Sequence, residues 1–552
     1  MDHKKIKTLG GGGGPFAQID LASGSLPAWL SFSRASGAMQ YDNTGKLIWG
    51  PENLFTNSAL AGAVSGTPGT APTAWSYALG GGTSVVATDP NFGGNSIAIT
   101  VAANRQVISR VVAVKAFETW IFSVYATTTG DITLSNILHL SAAPAGTVWI
   151  TNIYVDGVLT ASSAIIPAGT YRFSIVAVVA ATSGNITFRT GAGCSSNVTG
   201  TVKIWATQAE RVTYQVLPRT YLPSALAAAV YGPRFDYDPV TLAPRGLLLE
   251  GARTNVVLWG RDLTNAAWTL GATMTRAKNQ TGIDGVANYA SSLTGGAVAA
   301  TNTILQAIVL ANSARFHSAY IKRLVGTGVI EMTMDNGLTW VDVTAQIFAA
   351  WSRVTIPTQT LANPTVGFRI QTNGDSIAVD FVQNEDGAVG PSMPIYVDGT
   401  IDTRAADVCS FIGAGLVPFN SSQGAIIVQA QSEFGGATGR LVAGSAAGNS
   451  YLYEDVGIVK SDNGTTVLSS GVSSVGAYSS FGFAWDKVAP SRRLQATGGL
   501  LISAADAPNI GATTQWLGSI NGTSNFSFAW FKKISVYNTR LTDTEFSQIV
   551  DT

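Results

Sequence analysis

Gln208-Ala209-Glu210, followed by Pro218 and Tyr221, returns 175 positions further on as Gln383-Asn384-Glu385, followed by Pro394 and Tyr396. A matching entry segment precedes each copy. The first has Arg34-Ala35-Ser36-Gly37, Tyr41-Asp42 and Pro51-Glu52-Asn53-Leu54; the second has Arg234, Tyr237-Asp238 and Arg253-Thr254-Asn255-Val256. A pattern recurring at this distance marks one structural unit used twice. The 552 residues therefore read as two copies of a β-rich module followed by a different C-terminal piece, in line with a length prior of roughly 150 residues per domain.

Working outward, Tyr171-Arg172-Phe173-Ser174-Ile175 and Val202-Lys203-Ile204-Trp205 alternate apolar with polar residues, while Asp89-Pro90, Gly93-Gly94, Ser183-Gly184 and Gly191-Ala192-Gly193 signal turns. Alternation with period two predicts half-buried strands. His317 to Lys322 and Ser352 to Ile356 read the same way in the second copy. In the last piece Gly424 to Ala430 reads as a buried strand, and Phe526 to Trp530 and Ile534 to Tyr537 alternate. Thr542 and Glu545 form a capping box, with Leu541 and Phe546 at the staple positions, so a short helix is expected at about Thr542 to Val550. Ala225 to Val230, confined between Pro223 and Pro233, has room for one helical turn.

The expected organisation is an entry arm at 1–50, a first module at 51–225, a proline-rich connector at 226–252, a second module at 253–405 and a C-terminal domain at 406–552. Prolines 239 and 244 keep the connector extended. The arm opens with Met1-Asp2-His3-Lys4-Lys5-Ile6-Lys7 and then five glycines, Gly10 to Gly14, where the apolar stretch of a signal peptide should stand. No segment has the roughly 18 to 20 apolar residues that cross a bilayer as a helix, so membrane insertion is not expected.

Charged residues make up 12% of the chain and the 33 basic side chains balance the 33 acidic ones, against an ordinary charged share of about 25%. This balance carries no nucleic-acid footprint. With a positive mean hydropathy, so charge-poor a chain is expected to bury surface against copies of itself or a larger assembly. The two cysteines, Cys194 and Cys409, fall in different modules and exclude a disulfide framework; His3, His139 and His317 are scattered.

Phe32-Ser33-Arg34-Ala35-Ser36-Gly37-Ala38 with Tyr41-Asp42 and Gly45-Lys46-Leu47 resembles the opening of bacteriophage virion proteins of the tail-fibre and minor-tail kind. So do Glu52-Asn53-Leu54 and the phrase Gly246-Leu247-Leu248-Leu249-Glu250-Gly251-Ala252-Arg253-Thr254-Asn255. Each following module resembles a carbohydrate-binding-module-like jelly roll whose last strand carries Gln-x-Glu; the first copy has Arg211-Val212 where a glycine usually follows the glutamate. Residues 406–552 resemble a laminin-G or concanavalin-like sandwich through Ile510-Gly511, Gly518-Ser519-Ile520, Ile534 to Asn538 and Leu541-Thr542. The resemblance implies an all-β fold: two jelly-roll sandwiches in tandem plus a C-terminal concanavalin-like sandwich ending in a short helix.

It also implies a virion protein, a tail fibre or spike that attaches the phage particle to a host surface glycan without catalysis. Such an appendage would be made in the host cytoplasm, bind other virion proteins through its arm and form homotrimers. A head-decoration, collar or tail-assembly protein is the alternative, and a polysaccharide depolymerase the third. Gln208, Glu210, Gln383 and Glu385 are expected to be structural, and Glu250 with Arg253 to form an ion pair fixing the connector.

Chemistry is thinly signalled. The glycine run lacks the Lys-Ser or Lys-Thr of a phosphate loop, and neither His-Glu-x-x-His nor Gly-x-Ser-x-Gly occurs. Asp236, Asp238, Glu331 and Asp335 are the nearest approach to a carboxylate cluster, and turns use Asp readily. Sugar binding needs an aromatic ring to stack on a pyranose. Among 13 tryptophans, Trp75 and Trp268 stand at comparable places in the two modules and are the glycan-binding candidates, whereas Trp120, Trp351, Trp485, Trp516 and Trp530 read as core. No cofactor is expected. A calcium ion is the one metal the resembled families imply, and Asp380, Asp455 and Asp462 follow no ligand spacing.

Overall fold

The computed structural model describes residue 15 and residues 17–143, 148–180, 183–387, 390–411, 420, 422–433, 439–443, 450–455, 457–463, 466–506, 515–519 and 526–551. The glycine run, His3, Ile510-Gly511 and Ile520 lie outside them. The chain forms two compact units, residues 48–232 and residues 1–47 with 233–552.

In the 48–232 unit, one sheet includes strands in the order Asn95–Asn104, Val198–Val212, Thr119–Thr128, Gly169–Val179, and the other holds Gln106–Val114, Gly184–Ala192, Leu138–Ala143 in that order. Every pairing is antiparallel. This interleaving of early and late strands is a jelly roll, with the two inner faces packed on each other. Thr119–Thr128 shows how the sequence does this: Trp120, Phe122, Val124 and Ala126 enter the core with Phe173, Ile175 and Phe188, while Ser123 and Tyr125 point to the opposite face.

The second module repeats the order within the other unit. Ala290–Thr294, Ser376–Asp386, Ser313–Val325, Ser352–Leu361 face Thr303–Ala307, Thr365–Ile370, Ile330–Thr333. Its separate core gathers Trp268, Ile304, Ile321, Met332, Val354, Phe368 and Val379. The sequence repeat is thus a repeat of strand order.

The C-terminal sandwich is not made by residues 406–552 alone. Its larger sheet runs Arg234–Tyr237, Pro244–Leu249, Ala529–Tyr537, Gln423–Ser432, Ser479–Asp486, Ser491–Ala496, Ile502–Ala504, and Ala17–Asp20 also pairs with Ala529–Tyr537. Its facing sheet starts with Leu30–Ser33, paired to Val408–Phe411. Ala17, Leu21, Leu30, Leu247 and Leu249 sit in one core with Ile426, Phe483, Trp485 and Ile534. The described part of the expected arm is therefore built into this sandwich, and the connector supplies a hairpin. Pro244 stands first in its strand, where no ladder N–H is lost from the interior.

The closing helix, Asp543–Val550, carries the expected capping box: Glu545 N donates to Thr542 Oγ1, and Thr542 N donates to the Glu545 carboxylate. Leu541 and Phe546 share a small core with Tyr537 and Val550. Ala225 to Val230 forms no helix; Val230 instead opens a two-residue strand.

Candidate functional site

The repeated residues resolve first into a seam. Asn53 and Asn255 are buried and make the same four hydrogen bonds. Asn53 Nδ2 donates to Thr207 O (3.0 Å) and Leu222 O (2.8 Å), while its Oδ1 accepts from Phe55 N and Ala209 N (both 3.1 Å). Asn255 does this with Val382 O, Ile395 O, Val257 N and Asn384 N. The Gln-x-Glu residues continue it. Gln208 Oε1 accepts from Leu222 N (2.9 Å) and Glu210 Oε1 from Arg219 N (3.0 Å); Gln383 Oε1 accepts from Ile395 N (2.8 Å) and Glu385 Oε2 from Ser392 N (3.1 Å). In each copy these buried side chains pin the Pro-Tyr strap over the last strand, supplying partners to strap peptides that lie outside any strand.

Trp75 and Trp268 are equivalent, as expected, but both are core residues, 7% and 1% exposed. Trp75 Nε1 donates to Asn57 O and Trp268 Nε1 to Trp259 O, each at 3.2 Å. The rings pack on Phe55 and Phe188, and on Phe368. Neither presents a face for a sugar; burying the large ring area outweighs display.

Glu250 does not pair with Arg253. Its partners are Arg234 (2.5 Å) and Arg404 (3.2 Å), and Met393 N donates to it (2.8 Å), while Arg253 reaches Ala252 O at 3.5 Å. Arg34 (2.8 Å), Arg234 and Arg404 (3.8 Å) converge on Asp407, every one of these side chains at most 1% exposed. Burial pushes the Asp407 carboxyl up, but Arg234, Arg34 and Arg404 together outweigh it and hold it below its ordinary range. The cluster ties the entry segment, the hairpin and the end of the second module to the C-terminal sandwich.

The candidate carboxylates are taken up locally. Asp238 Oδ1 accepts from Val240 N and Thr241 N, and its Oδ2 from Arg245 (2.7 Å). Glu331 pairs with Arg369 (2.5 Å), and Asp335 accepts from Thr333 and Thr339 N. Asp380 is bound by Arg261 (2.7 Å) and Asp455 by Lys460 (2.7 Å). Among the described residues no three His, Cys, Asp or Glu side chains gather where a metal ion could sit.

What the larger unit does present is a cleft of about 880 Å³, walled by Tyr320, Lys322 and Arg353 of the second module, the Phe348 to Trp351 loop, Tyr41 and Lys46 of the entry segment, Arg245 of the hairpin, and Glu433, Phe528 and Trp530 of the C-terminal sandwich. Volumes of roughly 300 to 1,000 Å³ suit a small ligand or a short polymer segment. Phe348 is 60% exposed and Trp351 half-buried. Asp236 lies buried beneath the floor and holds two lining residues: its Oδ1 accepts from Tyr41 N (2.6 Å) and its Oδ2 from Trp530 Nε1 (2.7 Å). Burial pushes its carboxyl up to about 6, against the pull of those hydrogen bonds. Tyr41 and Tyr320 meet through their hydroxyls at 2.5 Å, both raised above the usual phenol range chiefly by burial, and so stay neutral.

Cations lie over rings around this floor. The Arg245 guanidinium is 4.4 Å from the Trp530 centroid, Lys322 Nζ 4.9 Å from Trp351 and the Arg353 guanidinium 5.4 Å from Tyr320. Gly45 holds the rim close: its φ is +76°, and a Cβ there would stand 2.5 Å from Pro239 O. Trp351, expected in the core, lines this cleft instead. The signal for it was Phe348-Ala349-Ala350-Trp351, two aromatics in a loop where no strand alternation buries them.

No family model matches this chain, and no curated protein matches it. Parts of it are similar to solved structures. The CBM40 of Ruminococcus gnavus IT-sialidase, bound to alpha2,3 sialyllactose, matches 24% of this chain and 83% of its own at 18% identity, with a TM-score of 0.21. The N-terminal CBM22-1-CBM22-2 tandem domain of Paenibacillus barcinonensis Xyn10C matches 62% of this chain and 98% of its own at 12% identity, with a TM-score of 0.21. The ANXUR2 extracellular domain of Arabidopsis thaliana matches 57% and 92% at 9% identity, with a TM-score of 0.16. The assignment of the two modules as jelly rolls rests on their own strand order.

Proposed function

We propose that this chain is a non-catalytic saccharide-binding protein of a bacteriophage particle, a tail fibre or spike that holds a host surface glycan in the cleft of its larger unit. The observation that carries the reading is the cleft itself, where Phe348 and Trp351 offer aromatic surface and Tyr320, Arg353, Lys322 and Glu433 offer polar groups around it. Pyranose rings bind by stacking their C–H faces on aromatic carbon while the hydroxyls take hydrogen bonds, and this wall supplies both. The phage setting and a homotrimeric state are supported by the resemblance of the entry phrases to virion proteins. A retaining or inverting glycosidase needs two carboxyl groups roughly 5 to 9.5 Å apart; among the described residues that line the cleft, Glu433 is the acidic one.

A particle-building role is the second reading, favoured by the exposed apolar residues Val158, Leu159 and Ile165 of the first module, 66%, 62% and 59% exposed. Binding of purified full-length protein to host cells and to isolated surface polysaccharide, with polymer size and reducing ends followed together, separates the readings. Saturable binding without fragments is expected. Fragment release would establish a depolymerase, and a well-folded oligomer that binds neither would point to particle building.

A further inference from the structure

We infer that the cleft selects an anionic saccharide, one carrying carboxylate or sulfate groups, and that Lys322 and Trp351 are its specificity-determining pair; this rests on the saccharide reading above. The two modules provide the comparison. In both, an arginine lies over a tyrosine and donates to a serine on the same sheet face: Arg172 is 5.2 Å from the Tyr125 ring centroid and 3.2 Å from Ser123 Oγ, and Arg353 is 5.4 Å from Tyr320 and 3.2 Å from Ser318 Oγ. This triad belongs to the scaffold. One step along the strands, the first module pairs Thr127 with Thr170, whose hydroxyls are 2.7 Å apart. At the same step from Tyr320 and Arg353 the second module has Lys322 and Trp351. A neutral, self-satisfied pair on one copy is thus a cation held over an indole on the other, and only the second faces the cleft described above.

The charge around the cleft agrees. Lys46, Arg245, Lys322 and Arg353 line it against Glu433, and Arg245 is matched by Asp238. With Asp236 beneath the cleft, its four basic side chains outnumber the three acidic ones by one. Arg353 Nε is buried without a hydrogen-bond partner, but so is Arg172 Nε in the first module, so this feature goes with the shared triad and the distinction rests on Lys322 and Trp351. A sugar packed on Trp351 brings an acidic ring substituent within reach of Lys322. Cations gathered in one cleft fit a compact acidic saccharide better than a nucleic-acid backbone.

Full-length wild type, Lys322→Gln and the double variant Lys322→Thr with Trp351→Thr, which installs the first module's own pair, are titrated calorimetrically. The probes are oligogalacturonate, a heparin-type sulfated oligosaccharide, a neutral dextran oligosaccharide of equal length and single-stranded DNA. The expected result is at least about tenfold preference for one acidic oligosaccharide over the neutral one, the size of one charge-assisted hydrogen bond, weakening with salt, lost in Lys322→Gln, with all saccharide binding lost in the double variant. The carboxylate and sulfate probes tell which group is read. Equal binding of neutral and acidic probes, or an unchanged Lys322→Gln, overturns the anionic inference and leaves the saccharide reading standing. DNA binding tighter than any saccharide overturns it in favour of a nucleic-acid groove. No binding of any probe by the folded wild type removes the saccharide reading and the inference with it.

Discussion

Asn53 and Asn255 show how much a single side chain can carry. Each closes four backbone hydrogen bonds, two to the last strand of its module and two to chain outside any strand. Asn255→Ala leaves those peptides buried and unpaired and is expected to cost about 3 kcal/mol or more, read as a lower denaturation midpoint at unchanged slope. His317 makes a pH-dependent contribution. It is buried, with Nδ1 2.9 Å from Gln383 O, and burial lowers its pKa to about 4 from 6.5. The folded state therefore disfavours the charged imidazole, so the stability it protects is present above pH 6.5 and is lost as the pH falls toward 4, by roughly 2 to 3 kcal/mol. Asp236, whose carboxyl is raised to about 6, changes stability in the opposite sense over much of that range. The informative quantity is the difference between wild type and His317→Gln from pH 7 to 4, in which the variant's midpoint is expected to fall less. Parallel curves would show that His317 does not titrate as its burial requires.

At the scale of elements, the sandwich order was legible because alternation is a local property. Tyr171 to Ile175 and His317 to Lys322 declare two faces within a few residues, both largely covered in the fold, and Gln-x-Glu with its Pro-Tyr strap marks the same strand in both modules. The role of residues 17–33 was not legible in that way. Ala17–Asp20 pairs with a strand more than 500 positions later, and nothing in Ala-Gln-Ile-Asp names its partner. The tryptophans erred for a related reason: equal position in two modules predicts equal environment, which Trp75 and Trp268 have, but does not say whether that environment is core or surface. Two predictions follow from the pairing. A fragment of residues 406–552 lacks four strands of its own sandwich and is expected not to fold cooperatively, whereas residues 48–232, with a complete core, are expected to unfold in one sharp calorimetric transition. Arg234→Met leaves Glu250 and Asp407 with one cation fewer in a buried cluster and is expected to lose about 3 to 5 kcal/mol, measured on the full chain.

At the scale of the whole molecule, the same scaffold appears twice and differs at the cleft. The seam asparagines, the Gln-x-Glu pairs and the Arg-Tyr-Ser triads are held in common, while Lys322, Phe348 and Trp351 belong to the second copy and open onto the cleft. Shared residues account for folding, and the unshared ones are those to which the proposed function assigns binding. The most direct measurement is the affinity of full-length wild type and Trp351→Ala for isolated host surface polysaccharide, with polymer length recorded before and after. Saturable binding to intact polymer, weakened about tenfold or more by loss of the stacking ring, is the result predicted. Equal affinity of the two proteins would contradict the assignment of the cleft, and shortened polymer would contradict a binding role without catalysis.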